Sequence, residues 1–202
     1  GGGFGVLEQA AVLTALGRDR KALLAAYQYL IMGTIGATFL VIGIGLLYLM
    51  TGTLNLVDMR VRLAEVSDPR PVLTALAFIT VGMSLKLALF PLHQWLPNAY
   101  GHAPSAVSAF LAATSTKVSI YVLLRFFYSV FGPEVVFDRA GLSGLMLPLS
   151  LAAMFAASAA AIFQTDLKKL LAYSSIAQIG YITLGLTFES AAGLTAAIVH
   201  LF

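Results

Sequence analysis

Two lysines carry the chemistry in this sequence because of where they sit. Lys86 lies in "SLKLALFPLHQWLP", residues 84–97, and Lys117 in "AATSTKVSIYVLL". Residues 71–85 and 87–116 contain no Asp, Glu, Lys or Arg, so both amines stand in long uncharged runs. A lysine at the centre of a membrane helix costs about 2.5–3.5 kcal/mol on insertion scales. Snorkelling relieves that cost only near a helix end. Lys117 is about 13 residues beyond Pro104, hence roughly 20 Å along a helix, and is expected to face the protein interior. Desolvation disfavours a charged amine, and a nearby carboxylate restores it. A lysine whose acidic partner can change is therefore a switchable proton site. A structural role, neutralising a buried acid or capping a broken helix, would also account for either lysine.

The residues after Lys86 favour the proton reading. Pro91 removes a backbone donor and frees carbonyls. Non-helical backbone at membrane depth persists only inside protein or beside water, and interrupted helices are common at transport sites. His93 and His102 flank the break and titrate in the range a proton relay needs; a hydrogen bond within a polar turn would equally explain each. Trp95, the single tryptophan, reads as a membrane-interface anchor. Ser105, Ser108, Ser115 and Ser119 fall on one stripe of the next helix, with Ala112 completing it. Ser174, Gln178 and Tyr181 form a similar stripe further on. Either stripe would line a hydrated path or join helices.

These residues need helices in lipid to position them. The 202 residues are 59% hydrophobic and 10% charged, and mean hydropathy is +0.91, whereas soluble domains carry about 25% charge. The net charge of +3 comes from residues scattered between apolar segments, which gives no nucleic-acid footprint. There are no cysteines, so thiolate metal sites and disulfides are excluded within these residues. A span needs about 20 apolar residues. The long apolar runs, without two-residue alternation, predict an all-α polytopic bundle with spans near 4–16, 22–50, 71–90, 104–131, 142–163, 170–188 and 191–202. "NLVDMRVRLAEVSDPRP" reads as the longest loop, and "GPEVVFDRAG" and "QTDLKK" as tight polar turns. Pro71 and Pro104 suit first-turn positions. Gly33 with Ala37, and Ala152 with Ala156 and Ala160, are spaced for close helix contact. Arg18, Arg20, Lys21, Lys168 and Lys169 fall on one side, which the positive-inside rule places in the cytoplasm. The opening "GGGFGV" and the closing "HLF" read as cuts through spans, so the whole is expected to be one membrane domain fragment.

The stretch "KLALFPLHQWLPNAYGHAPSAVSAFLAATSTKVSIYVLLRF" resembles the antiporter-like membrane subunits shared by respiratory complex I and multisubunit cation/proton antiporters. The shared pattern is a lysine in a broken helix, then P-x-H-x-W-L-P, then A-P-x-x-V-S-A. "QTDLKKLLAYSSIAQIGY" matches a second block, and "AAYQYLIMG" and "LYLMTGTLNL" extend the likeness over nearly the whole chain. The spacing from "APSAVSA" to "TKVSIY" looks most like the D-type subunit of a cation/proton antiporter. The resemblance implies a fold of about fourteen helices with two inverted five-helix repeats, here meeting near 132–141. It implies that Lys86 is the central lysine of the first half-channel and that Lys117 links the halves. Asp166 and Lys168 would form a polar entry, and His200 would open the helix of the second half's proton site. The family glutamate that pairs with the broken-helix lysine falls at Phe4. Glu8, four residues later and about 40° round a helix, is the candidate replacement.

The implied function is proton transfer coupled to Na+ or K+, in a multi-pass subunit of the cell (inner) membrane, with other membrane subunits and lipid as partners and no cofactor. The alternative is a proton-pumping membrane subunit of an NADH–quinone or hydrogenase-type complex. No GxGxxG or cysteine cluster is present, so redox chemistry would belong to partner subunits. A non-transporting scaffold and a stand-alone solute transporter are the remaining readings; both lysines argue against the first and the resemblance against the second.

Overall fold

The structure is a computed structural model, and it describes residues 20–66 and 68–201. The expected first span at 4–16 and Glu8 lie outside the described residues. Among the described residues there is no strand, and five helices are long and apolar enough to cross a membrane. Helix α1 runs Arg20–Thr51, α2 Leu56–Ala64, α3 Pro69–Leu87 and α4 Trp95–His102. Helix α5, Ser105–Leu124, continues as π-helical turns through Phe131. Helices α6 Leu142–Ile162, α7 Leu167–Thr187 and α8 Ala191–Leu201 complete the order. The expected spans from residue 22 onward each coincide with one of these helices or pairs of helices.

Two close pairs organise the bundle: α1 with α3, and α6 with α7. The first pair meets backbone to backbone. A Cβ on Gly82 would lie 2.7 Å from the Gly36 carbonyl oxygen, and one on Gly43 would strike Ile79 and the Ala75 carbonyl. Without glycine at these points the axes could not approach so closely. In the second pair, Ser150 Oγ donates to Thr183 Oγ1 at 2.8 Å, and a Cβ on Gly180 would meet Ser150 O at 3.0 Å. The buried face of α6 is Met146, Ser150, Ala153 and Ala157, one position on from the expected Ala152–Ala156–Ala160 stripe. "AAMFAASAAA" offers small residues on several faces, so only the facing Gly180 and Thr183 select one.

Two expected loops are ordered instead. Helix α2 occupies the middle of the long polar segment, with Asn55 Oδ1 accepting from Val57 N–H at 3.0 Å as its N-cap. Met59 is buried, and Leu56 and Leu63 pack against the core on the same side. Arg62 Nη1 donates to the Thr51 carbonyl, tying α2 to the end of α1. The segment 134–139, expected as a tight turn, is helical because Val136 and Phe137 bury against Phe127, the two rings meeting edge to face at 6.3 Å. Helix α3 starts at Pro69, capped by Asp68, two residues before the expected Pro71.

Candidate functional site at the break after Lys86

Helix α3 ends because the chain approaches Pro91, whose ring and missing N–H cannot continue it. Ala88 takes the left-handed conformation at φ 56°, its N–H donates to Leu85 O, and Leu89 N–H donates to Ser84 O. That is the two-bond closure common at helix C-termini. Trp95 Nε1 then donates to Leu85 O at 3.0 Å. The tryptophan is buried and its ring lies 5.1 Å from Tyr29. It is therefore a tie across the break and not the expected interface anchor: its N–H finds a carbonyl inside the protein.

Lys86 occupies the last turn of α3, where the negative end of the helix dipole favours an ammonium. A Cβ on Gly36 would lie 3.5 Å from Lys86 Cγ, so the stem runs along α1 at a residue without a side chain. Lys86 lines a cavity of about 340 Å³ with Tyr29, Gly33, Trp95, Thr114, Ser115 and Ser119 among its walls. Among the described residues the lining contains no carboxylate. Such a volume has room for several waters, and the hydroxyl-bearing side chains offer them partners. Ser119 Oγ donates to the Ser115 carbonyl at 2.8 Å. Tyr29 and Thr114 were not singled out in the sequence. The signal for Tyr29 was its spacing with Gly33 and Gly36, which puts all three on one helix face.

The other candidate residues fall into separate groups. His93 stacks on Phe90 at 5.1 Å and meets Tyr173 of α7 edge-on at 6.4 Å. Its Nδ1 is buried with no hydrogen-bond partner among the described residues, and it does not line the Lys86 cavity. His102 Nδ1 lies 2.9 Å from Asn98 O, within its own helical turn. Ser108 Oγ donates to Tyr100 O at 2.8 Å and closes the turn between α4 and α5. Asp166 is the N-cap of α7, accepting from Lys168 N–H. Lys168 Nζ donates to Ala103 O at 2.9 Å, so the start of α7 caps the end of α4. Lys117 is exposed on the described surface, and its Nζ donates to Leu201 O of α8 at 3.0 Å. The neighbouring His200 meets Tyr181 edge-on at 5.6 Å. Ser174 is half-buried and Gln178 exposed on α7. Lys117, His200 and Tyr181 thus gather where α5, α7 and α8 meet, while Lys86, Ser115 and Ser119 gather at the break. No cluster of three or more metal-binding side chains occurs among the described residues.

The chain is 44% identical over 191 residues to NADH-quinone oxidoreductase subunit N of Desulforudis audaxviator, covering 95% of this chain and 38% of that protein. It is 36% identical to a putative antiporter subunit mnhD2 of Staphylococcus saprophyticus, covering 94% and 37%. The Mrp complex from Dietzia sp. contains a chain that superposes with a TM-score of 0.83 at 28% identity, covering 98% of this chain and 37% of that one. This chain therefore spans well under half the length of the curated relatives it matches. The family described as "NADH:quinone oxidoreductase/Mrp antiporter, TM" matches residues 6–202, and with the broken helix, its lysine and the all-helical bundle in place, this multi-pass membrane chain belongs to that family.

Proposed function

We propose that this chain conducts protons across the cell (inner) membrane as one subunit of a multisubunit complex, with Lys86 as the group that takes up and releases them. The observation that carries the reading is the Lys86 amine at a helix break, in a cavity where Tyr29, Thr114, Ser115 and Ser119 place hydroxyls among apolar walls and where no described lining residue is a carboxylate. An amine there exchanges its proton with water, and an approaching carboxylate sets how firmly the charge is held. The segment 132–141 is the junction of two half-channels, the first around Lys86 and the second beginning at His200. Lys117 joins them, Asp166 and Lys168 form the polar entry, and Glu8 is the candidate carboxylate partner of Lys86.

Two assemblies fit. In a multisubunit antiporter the proton flux is coupled to Na+ or K+, which the spacing from "APSAVSA" to "TKVSIY" supports. In an NADH–quinone oxidoreductase it is driven by redox partners, which the 44% identity to a subunit N supports. Everted vesicles holding the intact complex separate them: acidification driven by NADH supports the second, and a pH change driven by added Na+ or K+ supports the first. In the same vesicles, Lys86→Ala is expected to assemble and to lose at least nine-tenths of proton translocation. Near-normal translocation by the assembled variant would overturn the role of Lys86.

A further inference from the structure

A second cavity, about 400 Å³, lies at the end of α3 remote from Lys86, between α2, the first turn of α3 and the turn from Phe131 to Arg139. Among the described residues its charged lining is Arg60, Arg139 and Glu134, a net charge of +1, and its apolar lining includes Val72, Leu73 and Phe131. Both Pro69–Leu87 and Ser105–Phe131 are of membrane-crossing length, so a cavity at their ends lies at the membrane boundary. Helix α2 beside it exposes Val57 and Val61, at 73% and 60%, on one face while Met59 is buried. That is the pattern of a helix lying in the boundary with apolar side chains toward the acyl layer.

We infer that this cavity is a binding site for the head group of an anionic glycerophospholipid of the phosphatidylglycerol type. Guanidinium groups bind phosphate oxygens through paired N–H donors. One negative charge on the occupant matches the net charge of the lining. A glycerol head also brings hydroxyl donors for the Glu134 carboxylate. Val72, Leu73 and Phe131 supply the apolar wall along which the glycerol backbone leaves toward the bilayer, a surface a free phosphate ion would leave uncovered. The site stands apart from the proton reading of Lys86.

The test uses the full-length complex purified in mild detergent. Retained lipids are quantified by mass spectrometry after exchange with equimolar phosphatidylglycerol and phosphatidylcholine. The wild type is expected to retain phosphatidylglycerol at least fivefold over phosphatidylcholine. The Arg60→Gln/Arg139→Gln double variant is expected to lose that preference, and Arg70→Gln, an arginine outside the cavity, to keep it. Thermal stability is expected to rise on adding phosphatidylglycerol and not on adding inorganic phosphate. Equal retention of the two lipids by the wild type would overturn the site whether or not the double variant assembles. An unchanged preference in an assembled double variant, or equal protection by inorganic phosphate, would overturn it as well.

Discussion

At the scale of single residues, a lysine differs from an arginine in one property that decides its use. Arginine does not deprotonate in a protein. If Lys117 releases a proton, Lys117→Arg should fail as badly as Lys117→Ala in cation- or NADH-driven acidification, with assembly checked by native gel. The hydrogen bond from Lys117 Nζ to Leu201 O supplies the competing account, in which only a cation on α8 is needed. Restoration by arginine of more than half of what alanine loses would establish that structural account. Trp95 makes a different demand. Its Nε1 holds the Leu85 carbonyl one residue before Lys86. Trp95→Phe keeps a ring beside Tyr29 and deletes the donor, leaving a buried carbonyl with one partner fewer at a cost of about 1–2 kcal/mol. Assembly is expected to persist while the pH profile of transport shifts, because the end of α3 that carries Lys86 is no longer tied to α4. An unchanged profile would reduce Trp95 to packing.

At the scale of elements, the crossing of α1 and α3 sets where Lys86 can go. A Cβ at Gly82 would also lie 2.8 Å from Leu40 N, so any side chain there pushes two backbones apart. Gly82→Val is expected to cost about 2–4 kcal/mol, in the range of overpacked contacts and severe single substitutions, and to lower the yield of assembled complex on native gels. Gly45→Ala is the control, on the partner helix α1: nothing lies within 4 Å of the added Cβ, and alanine favours a helix by about 1 kcal/mol, so assembly should match wild type. Equal behaviour of the two variants would mean that the Gly36–Gly82 contact does not hold the pair together. The polar turns act at this scale too. Lys168 reaching Ala103 O makes the α6–α7 turn and the α4–α5 turn neighbours on one side of the bundle.

At the scale of the whole molecule, the antiparallel order of the spans puts those two turns opposite α2 and the segment 134–139. These residues contain no cysteine, so single reporters placed here are read in the full-length protein after any cysteine outside them is replaced. Thr165→Cys and Asp138→Cys, both at exposed positions, are expected to react with a membrane-impermeant maleimide from opposite faces of sealed vesicles. Reaction from the same face would overturn the topology. Much of this architecture was legible in the residues themselves. Length and continuity of apolar runs specify spanning helices, because lipid offers no partner to an unpaired backbone group, and the isolation of Lys86 in such a run marks it as the candidate site. An apolar face half hidden among charges is not legible in the same way: Met59 in α2 and Val136 with Phe137 make helices of segments that read as polar. The residues alone also leave undecided which face each helix turns inward. Alanines on adjacent stripes of α6 are equivalent until Gly180 and Thr183 select Ala153 and Ala157, and a tryptophan reads as a lipid anchor until the Leu85 carbonyl receives its N–H. Composition determines the solvent and the number of crossings; the rotation of each helix, and with it the membership of the Lys86 cavity, depends on close contacts between residues far apart in the chain.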